Sequence, residues 1–187
     1  MSEILQHLQR IHPLQAADVD ALQRIISVQE HPKGKLIQRP GTACRTIYFV
    51  EEGIARIFYR KNDRDITEHF AYDGNMIIRA ESLFTAQPTS KGIQAVTDIR
   101  LAAIPAPALF ALFDRHPDIE RLFHQLIVRE YVAAIHRTES LQLKSATERY
   151  RELEQATPLL QHVPLKYIAS YLGITQVSLS RIRAGVK

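Results

Sequence analysis

The sequence predicts an α+β chain: an N-terminal β-roll or double-stranded jelly roll with flanking helices, one long helix, and a C-terminal helix-turn-helix without a complete wing. Three observations lead there. Between His31 and Ile104 the apolar pattern breaks into short runs separated by glycines, as short antiparallel strands joined by tight turns require. From Asp118 to Lys144 it keeps a helical period with no Gly or Pro. The last stretch, VPLKYIASYLGITQVSLSRIRAGVK from Val163 to Lys187, places apolar residues, a small residue, a glycine and a hydroxyl where two short crossing helices need them.

From the N-terminus, Ser2 to Gln9 and Ala17 to Val28 read as helices, because Leu5, Leu8 and Ile11, then Val19, Leu22, Ile25 and Ile26, recur at helical spacing. Strand-length runs follow: KLIQ, TIYFVEEG, IARIFYR, ITEHFAYDG, GIQAVTD and IRLAAIPA, punctuated by Gly34, Gly41, Gly53, Gly74 and Gly92. Their spacing suits a roll of two sheets. Asn62-Asp63 and Asp73-Gly74 are expected hairpin tips. The helical period returns at Ala106 to Arg115, and Pro117 can open the next helix, where its missing N–H costs nothing. In that long helix Ile119, Leu122, Phe123, Leu126, Ile127, Tyr131, Val132, Ala133, Ala134, Ile135 and Leu141 form a stripe too broad for a helix wet on one side. One side is expected to pack on the roll and the other on the same helix of a second chain; the alternative is a helix buried wholly within the monomer. A further helix, Ser145 to Gln155, ends before Pro158.

The terminal module is spaced tightly. Leu165, Ile168, Leu172, Ile174, Leu179 and Ile182 fall where two helices crossing over a small shared core need apolar contacts. Ala169 sits at the closest approach, Gly173 suits a turn with positive φ, and Thr175 offers a hydroxyl at the N-cap of the second helix. Charge points the same way. The chain carries a formal net charge of +4, and Lys166, Arg181, Arg183 and Lys187 face no acidic residue from Gln161 onward. The rest of the chain balances 20 basic against 20 acidic residues, so the positive excess lies beside the helix pair. A helix rich in Ser, Thr, Gln and Arg beside that excess fits a DNA major groove, the alternative being a terminal hairpin that only completes a core.

Composition bounds what else the chain can be. At 187 residues and 45% hydrophobic it can bury one core plus a small appended module. No run approaches the roughly 18 apolar residues of a membrane span, and MSEILQHLQRIHPLQ lacks the basic flank and apolar core of a signal peptide. A cytoplasmic protein is expected. Cys44 stands alone, which excludes an internal disulfide, a four-cysteine zinc site and a four-cysteine iron–sulfur cluster; it is expected to be a small packing residue. The eight histidines include no His-Glu-x-x-His spacing, and there is no nucleophile elbow or phosphate-cradling glycine loop. No catalytic or metal-binding residue is therefore nominated, and an enzyme is not expected. The rival enzyme class is the cupins, which need several inward histidines with a carboxylate; the candidate strands offer His69 alone, with Glu68 on the opposite face.

This order of parts resembles the Crp/Fnr family of bacterial transcription regulators over nearly the whole chain. The resemblance is carried by YLGITQVSLSRIR, where Ser180-Arg181 matches the recurrent Ser-Arg or Gly-Arg pair of the recognition helix. It is carried also by KGKLIQRPGTACRTIYFVEEGIARIFY, which resembles the opening strands of cyclic-nucleotide-binding domains, including those of channels and kinases. The resemblance implies a sensor domain over 1–117, a dimerisation helix over 118–144 and a DNA-binding domain over 145–187. Its partners would be double-stranded DNA, a second copy of the chain and RNA polymerase, with no membrane. The implied DNA-contacting residues are Lys166, Thr175, Gln176, Val177, Ser178, Ser180, Arg181 and Arg183. Arg181 suits a guanine edge, Gln176 an adenine edge or a phosphate, Val177 a thymine methyl, and Thr175 and Ser178 phosphate oxygens.

The pattern changes at the effector site. Relatives that bind cyclic AMP carry Gly-Glu-Leu and then Arg-Ser-Ala, whose arginine pairs with the cyclic phosphate. Here the stretch is RAESLFTAQPTSKGIQA: Glu81 stands for the glutamate, Leu83-Phe84 follow, and Thr89-Ser90-Lys91 replaces Arg-Ser-Ala. Losing that bidentate partner to a buried anion costs about 2 to 5 kcal/mol, so a small-molecule effector other than standard cyclic AMP is expected and no cofactor is assigned. Arg79 or Lys91 could supply the charge; otherwise both are exposed loop residues. The effector candidates are Arg79, Glu81, Leu83, Phe84, Thr89 and Ser90. A haem-binding branch of the family would rest on His69 alone, and a lone strand histidine is ordinarily a satisfied surface group. The other functional alternative is a cyclic-nucleotide-sensing signalling protein that acts through protein contacts.

Overall fold

The computed structural model describes residues 3–156 and 159–185, so Ser2, Pro158 and Lys187 lie outside the described residues. Helices α1 (Glu3–Ile11) and α2 (Ala16–Ile25) open the chain. The second was expected to reach Val28, but Ser27–His31 forms strand β1, in which Val28 pairs with Ala102. The reason is local and tertiary together: Ile25, Ile26 and Val28 are β-branched, and a strand later in the chain offers its edge to this segment.

Nine further strands follow: β2 (Leu36–Gln38), β3 (Thr42–Ala43), β4 (Thr46–Glu52), β5 (Ala55–Lys61), β6 (Arg64–Ala71), β7 (Met76–Ile77), β8 (Pro88–Thr89), β9 (Gly92–Ala95) and β10 (Ile99–Pro105), with helix α3 (Ala80–Thr85) between β7 and β8. They form two four-stranded antiparallel sheets, ordered β1-β10-β4-β7 and β2-β9-β5-β6, and a small β3-β8 pair. Alternate side chains close the roll: Tyr48, Val50, Leu101 and Ala103 of the first sheet meet Ala55, Ile57, Ile93 and Ala95 of the second. Gly53 joins β4 to β5 at φ +97°, where an added Cβ would stand 2.3 Å from the Asp98 carbonyl oxygen.

Asn62-Asp63, with φ of 49° and 58°, makes the β5–β6 hairpin tip as expected. Asp73-Gly74 does not make one. The chain turns there, but β6 belongs to the second sheet and β7 to the first, so the turn carries it across the roll.

The outer face of the first sheet is covered by helices. Ile47, Phe49, Met76, Ala102 and Ile104 pack against Leu5 and Leu8 of α1, Leu22 of α2, Leu109 of α4 (Ala106–Phe113) and Ile119, Leu122, Phe123 and Leu126 of α5 (Pro117–Leu143). Cys44 is a free thiol packed in this cluster at 1% exposure. The broad stripe on α5 therefore divides along its length: the first half is buried, while Val128, Tyr131, Val132, Ile135 and Leu141 of the second half are exposed. Among the described residues four further helices follow: α6 (Ala146–Ala156), α7 (Leu159–His162), α8 (Leu165–Tyr171) and α9 (Gln176–Arg183). They share a third core with the second sheet, in which Ile54, Phe70 and Val96 meet Leu153, Leu159, Val163, Ile168, Leu172 and Leu179. That core joins residues on both sides of the boundary expected at 144/145.

Candidate nucleic-acid interface and sensor pocket

The helix pair α8 and α9 is closed by Ile168, Ala169, Leu172 and Leu179, each at most 2% exposed. Ala169 leaves room for the crossing. Gly173 adopts φ +70°, its N–H donates to the Ser170 carbonyl at 3.0 Å, and the Ile174 N–H donates to the Ala169 carbonyl at 3.0 Å; this reversal ends α8 as a positive-φ cap does. The Thr175 hydroxyl accepts from the Ser178 N–H at 3.1 Å, fixing the start of α9.

With Leu179 turned inward, Gln176, Val177, Ser180, Arg181 and Arg183 are all exposed, Val177 at 63%. Among the described residues neither Arg181 nor Arg183 has an ion-pair partner. The Ser178 hydroxyl lies 2.9 Å from the Thr175 hydroxyl, so these two residues spend part of their hydrogen-bonding capacity on the cap. Lys166 is exposed on α8, its Nζ 4.8 Å from the Tyr167 ring centre. Seven of the eight DNA candidates thus sit on or at the start of one short helix, with Lys166 on its neighbour.

Two arginines that the sequence does not single out hold this pair. Arg149 of α6 donates through Nε and Nη2 to the Leu172 carbonyl at 3.1 and 2.8 Å, and Arg137 of α5 donates to the Tyr171 carbonyl at 2.5 Å. Cations at the last carbonyls of α8 oppose the negative end of its dipole. Their partners lie 23 and 34 residues away, beyond the reach of any local pattern.

The effector candidates differ in exposure, and two of them, Arg79 and Thr89, meet at Thr42. Arg79 is no exposed loop residue: it is 3% exposed, its Nη2 donates to the Thr42 carbonyl at 3.1 Å, and its Nε and Nη1 are buried without a hydrogen bond. Burial lowers its pKa, opposed by the neighbouring Cys44 and Tyr48. Lys91 pairs with Glu68 at 2.6 Å. Glu81, Phe84 and Ser90 are exposed, Thr89 lies opposite Thr42 in the β3–β8 pair, and Leu83 packs in the cluster outside the roll. The physical reason is the single turn and a half of α3, whose faces split the segment between core and solvent. Ser82 anchors the inner face by accepting from the Cys44 N–H at 2.7 Å and donating to the Gln87 carbonyl at 2.5 Å.

His69 also departs from expectation. Rather than a satisfied surface group, it is a desolvated imidazole whose pKa falls to about 4, first through burial and then through Arg137, with Glu68 acting in the opposite sense. Among the described residues no group of three or more His, Cys, Asp and Glu side chains is placed to hold a metal ion. No described helix is long and apolar enough to cross a membrane.

Residues 28–116 match the family model of the cyclic nucleotide-binding domain. No curated protein sequence matches the chain. Among solved structures, FixK2 from Bradyrhizobium japonicum superposes with a TM-score of 0.73 at 18% identity, covering 86% of this chain and 84% of that one. CLP, the c-di-GMP responsive global regulator of Xanthomonas campestris, superposes with a TM-score of 0.71 at 18% identity over 91% of both chains. The catabolite activator protein of Thermus thermophilus gives 0.59 at 22% identity, over 96% of this chain and 85% of that one. The likeness at these identities is one of fold.

Proposed function

We propose that this chain, with a cyclic nucleotide-binding domain over residues 28–116 and the fold of the solved Crp/Fnr regulators, is itself a homodimeric transcription regulator that reads a palindromic site on double-stranded DNA. In it, residues 1–117 sense, 118–144 dimerise and 145–187 bind DNA. The observation that carries this reading is the outer face of α9: Gln176, Val177, Ser180 and Arg181 stand exposed over a closed core, in a segment with four basic and no acidic residues.

α9 enters the major groove. Arg181 takes a guanine edge with two parallel donors, Gln176 an adenine edge or a phosphate, and Val177 the methyl of thymine. Thr175, Ser178, Ser180, Lys166 and Arg183 contact the backbone, which sets register without reading sequence. The exposed half of α5 covers itself with its symmetry mate, because Tyr131, Val132 and Ile135 are apolar side chains that a second copy would remove from water. The two recognition helices then lie about 34 Å apart, one turn of DNA.

The roll binds a small molecule other than cyclic AMP, since Thr89-Ser90-Lys91 stands where the phosphate arginine would be. The protein works in the cytoplasm as a regulator and not as an enzyme, and contacts RNA polymerase if it activates. A titration against duplex DNA at several salt concentrations tests the reading: the logarithm of the affinity should fall linearly with the logarithm of salt. No affinity at low salt would reject it in favour of signalling through protein contacts.

A further inference from the structure

The structure assigns a docking surface for the DNA-reading helices on the roll of the same chain, and we infer that this latch presets the orientation in which α9 is presented. The inference rests on the DNA reading above but uses residues that reading does not.

The surface begins at an unpaired edge. β6 is the last strand in the order β2-β9-β5-β6, so among the described residues one side of it has no strand neighbour, a position that proteins ordinarily protect. Here Ser170 of α8 protects it. The Thr67 N–H donates to the Ser170 hydroxyl at 2.9 Å, and that hydroxyl donates to the Asp65 carbonyl at 3.2 Å. In a parallel ladder the backbone of a single partner residue would satisfy the same two groups; one side-chain hydroxyl replaces it. The Glu68 carbonyl, at the register shift between β5 and β6, accepts from Arg137 Nε at 3.0 Å.

Above this edge lies Arg56 of β5, 1% exposed. Its guanidinium pairs with both oxygens of Asp65 at 2.5 and 2.7 Å, with Gln94 Oε1 at 3.0 and 2.8 Å and with Thr67 Oγ1 at 2.9 Å. Every edge of the fork is satisfied, and its face lies 3.6 Å from the centre of the Tyr167 ring of α8. A charge so fully bonded can be covered without an orphaned donor, and Tyr167 covers it. Phe70 and Tyr171 add a ring pair at 5.1 Å. α8 is thus held through its own residues while α9 stays open. The neighbours of Arg56 on β5, Ala55 and Ile57, face the roll interior, so a strand that lines the sensor also carries the latch.

Holding the reader in one orientation removes a freedom that DNA binding would otherwise have to restrict. Arg56→Met breaks the latch from the roll side and leaves every residue of α8 and α9 unchanged; Tyr167→Leu breaks it from the other side and leaves Ser170 in place. Amide hydrogen exchange on the full chain reads docking at the Thr67 N–H. Both variants should exchange there about tenfold faster, with the interior amides of Val50 and Leu101 unchanged as controls for folding. Both should bind their selected duplex about three- to tenfold more weakly and random duplex equally well. Unchanged Thr67 exchange would overturn the docking surface. Faster exchange with equal or tighter specific binding would overturn the presetting role. A wild-type chain that binds no duplex would reject the DNA reading and the presetting role together, while faster Thr67 exchange would still uphold the docking surface.

Discussion

Arg181 and Lys166 carry the same charge and are expected to behave differently. Arg181 stands on the outer face of α9 with an open guanidinium, whereas Lys166 stands on α8 beside the Tyr167 ring. Arg181→Ala should lower binding to the selected site by about 1 to 3 kcal/mol and relax preference at one base pair; Lys166→Ala should weaken specific and random duplex alike. Equal losses on both duplexes for Arg181→Ala would remove its base contact. His69 gives a second prediction. Its folded-state pKa of about 4 lies below the ordinary 6.5, so the unfolded chain takes up the proton first as pH falls. Stability is full above about pH 6.5 and declines toward pH 4, by about 3 kcal/mol in all. Thermal unfolding of wild type and His69→Gln between pH 7.5 and 4.5 checks this, and parallel curves would contradict it. At this scale Gly173 and Thr175 were legible because a positive φ and an N-cap are local demands. The burial of Arg79 and the desolvation of His69 could not be read locally, because both depend on strands and helices far along the chain.

The element that asks most for a partner is α5. Its first half lies in the core, while Val128, Tyr131, Val132 and Ile135 in the second half are 39 to 67% exposed, a stretch of apolar surface that a second copy would cover. The double substitution Val132→Glu and Ile135→Glu should leave the helical circular dichroism intact and shift sedimentation from dimer to monomer. An unshifted dimer would move the interface elsewhere. The long helix was legible in advance because 27 residues of one period leave little room for another element. The β1 strand was not, because five residues beyond a helix of similar composition take their conformation from β10. Likewise Asp73-Gly74 has the sequence of a hairpin tip, and only the sheet order shows that it crosses the roll.

Among the described residues three cores are stacked in sequence: helices against the first sheet, the roll interior, and the second sheet against helices α6 to α9. The order of parts could be read from the chain, since each part has its own period. That α8 and α9 share a core with the roll could not, because Arg56, Thr67 and Asp65 meet Tyr167 and Ser170 across about a hundred residues of sequence. The arrangement puts the roll, α5 and the terminal helices α6 to α9 in mechanical contact. The most direct test of that account is selection of bound sequences from a random DNA pool by this chain. It predicts an enriched site with two-fold symmetry, whose half-sites are centred about 10 base pairs apart. Enrichment of an asymmetric single site, or of no sequence at all, would contradict it.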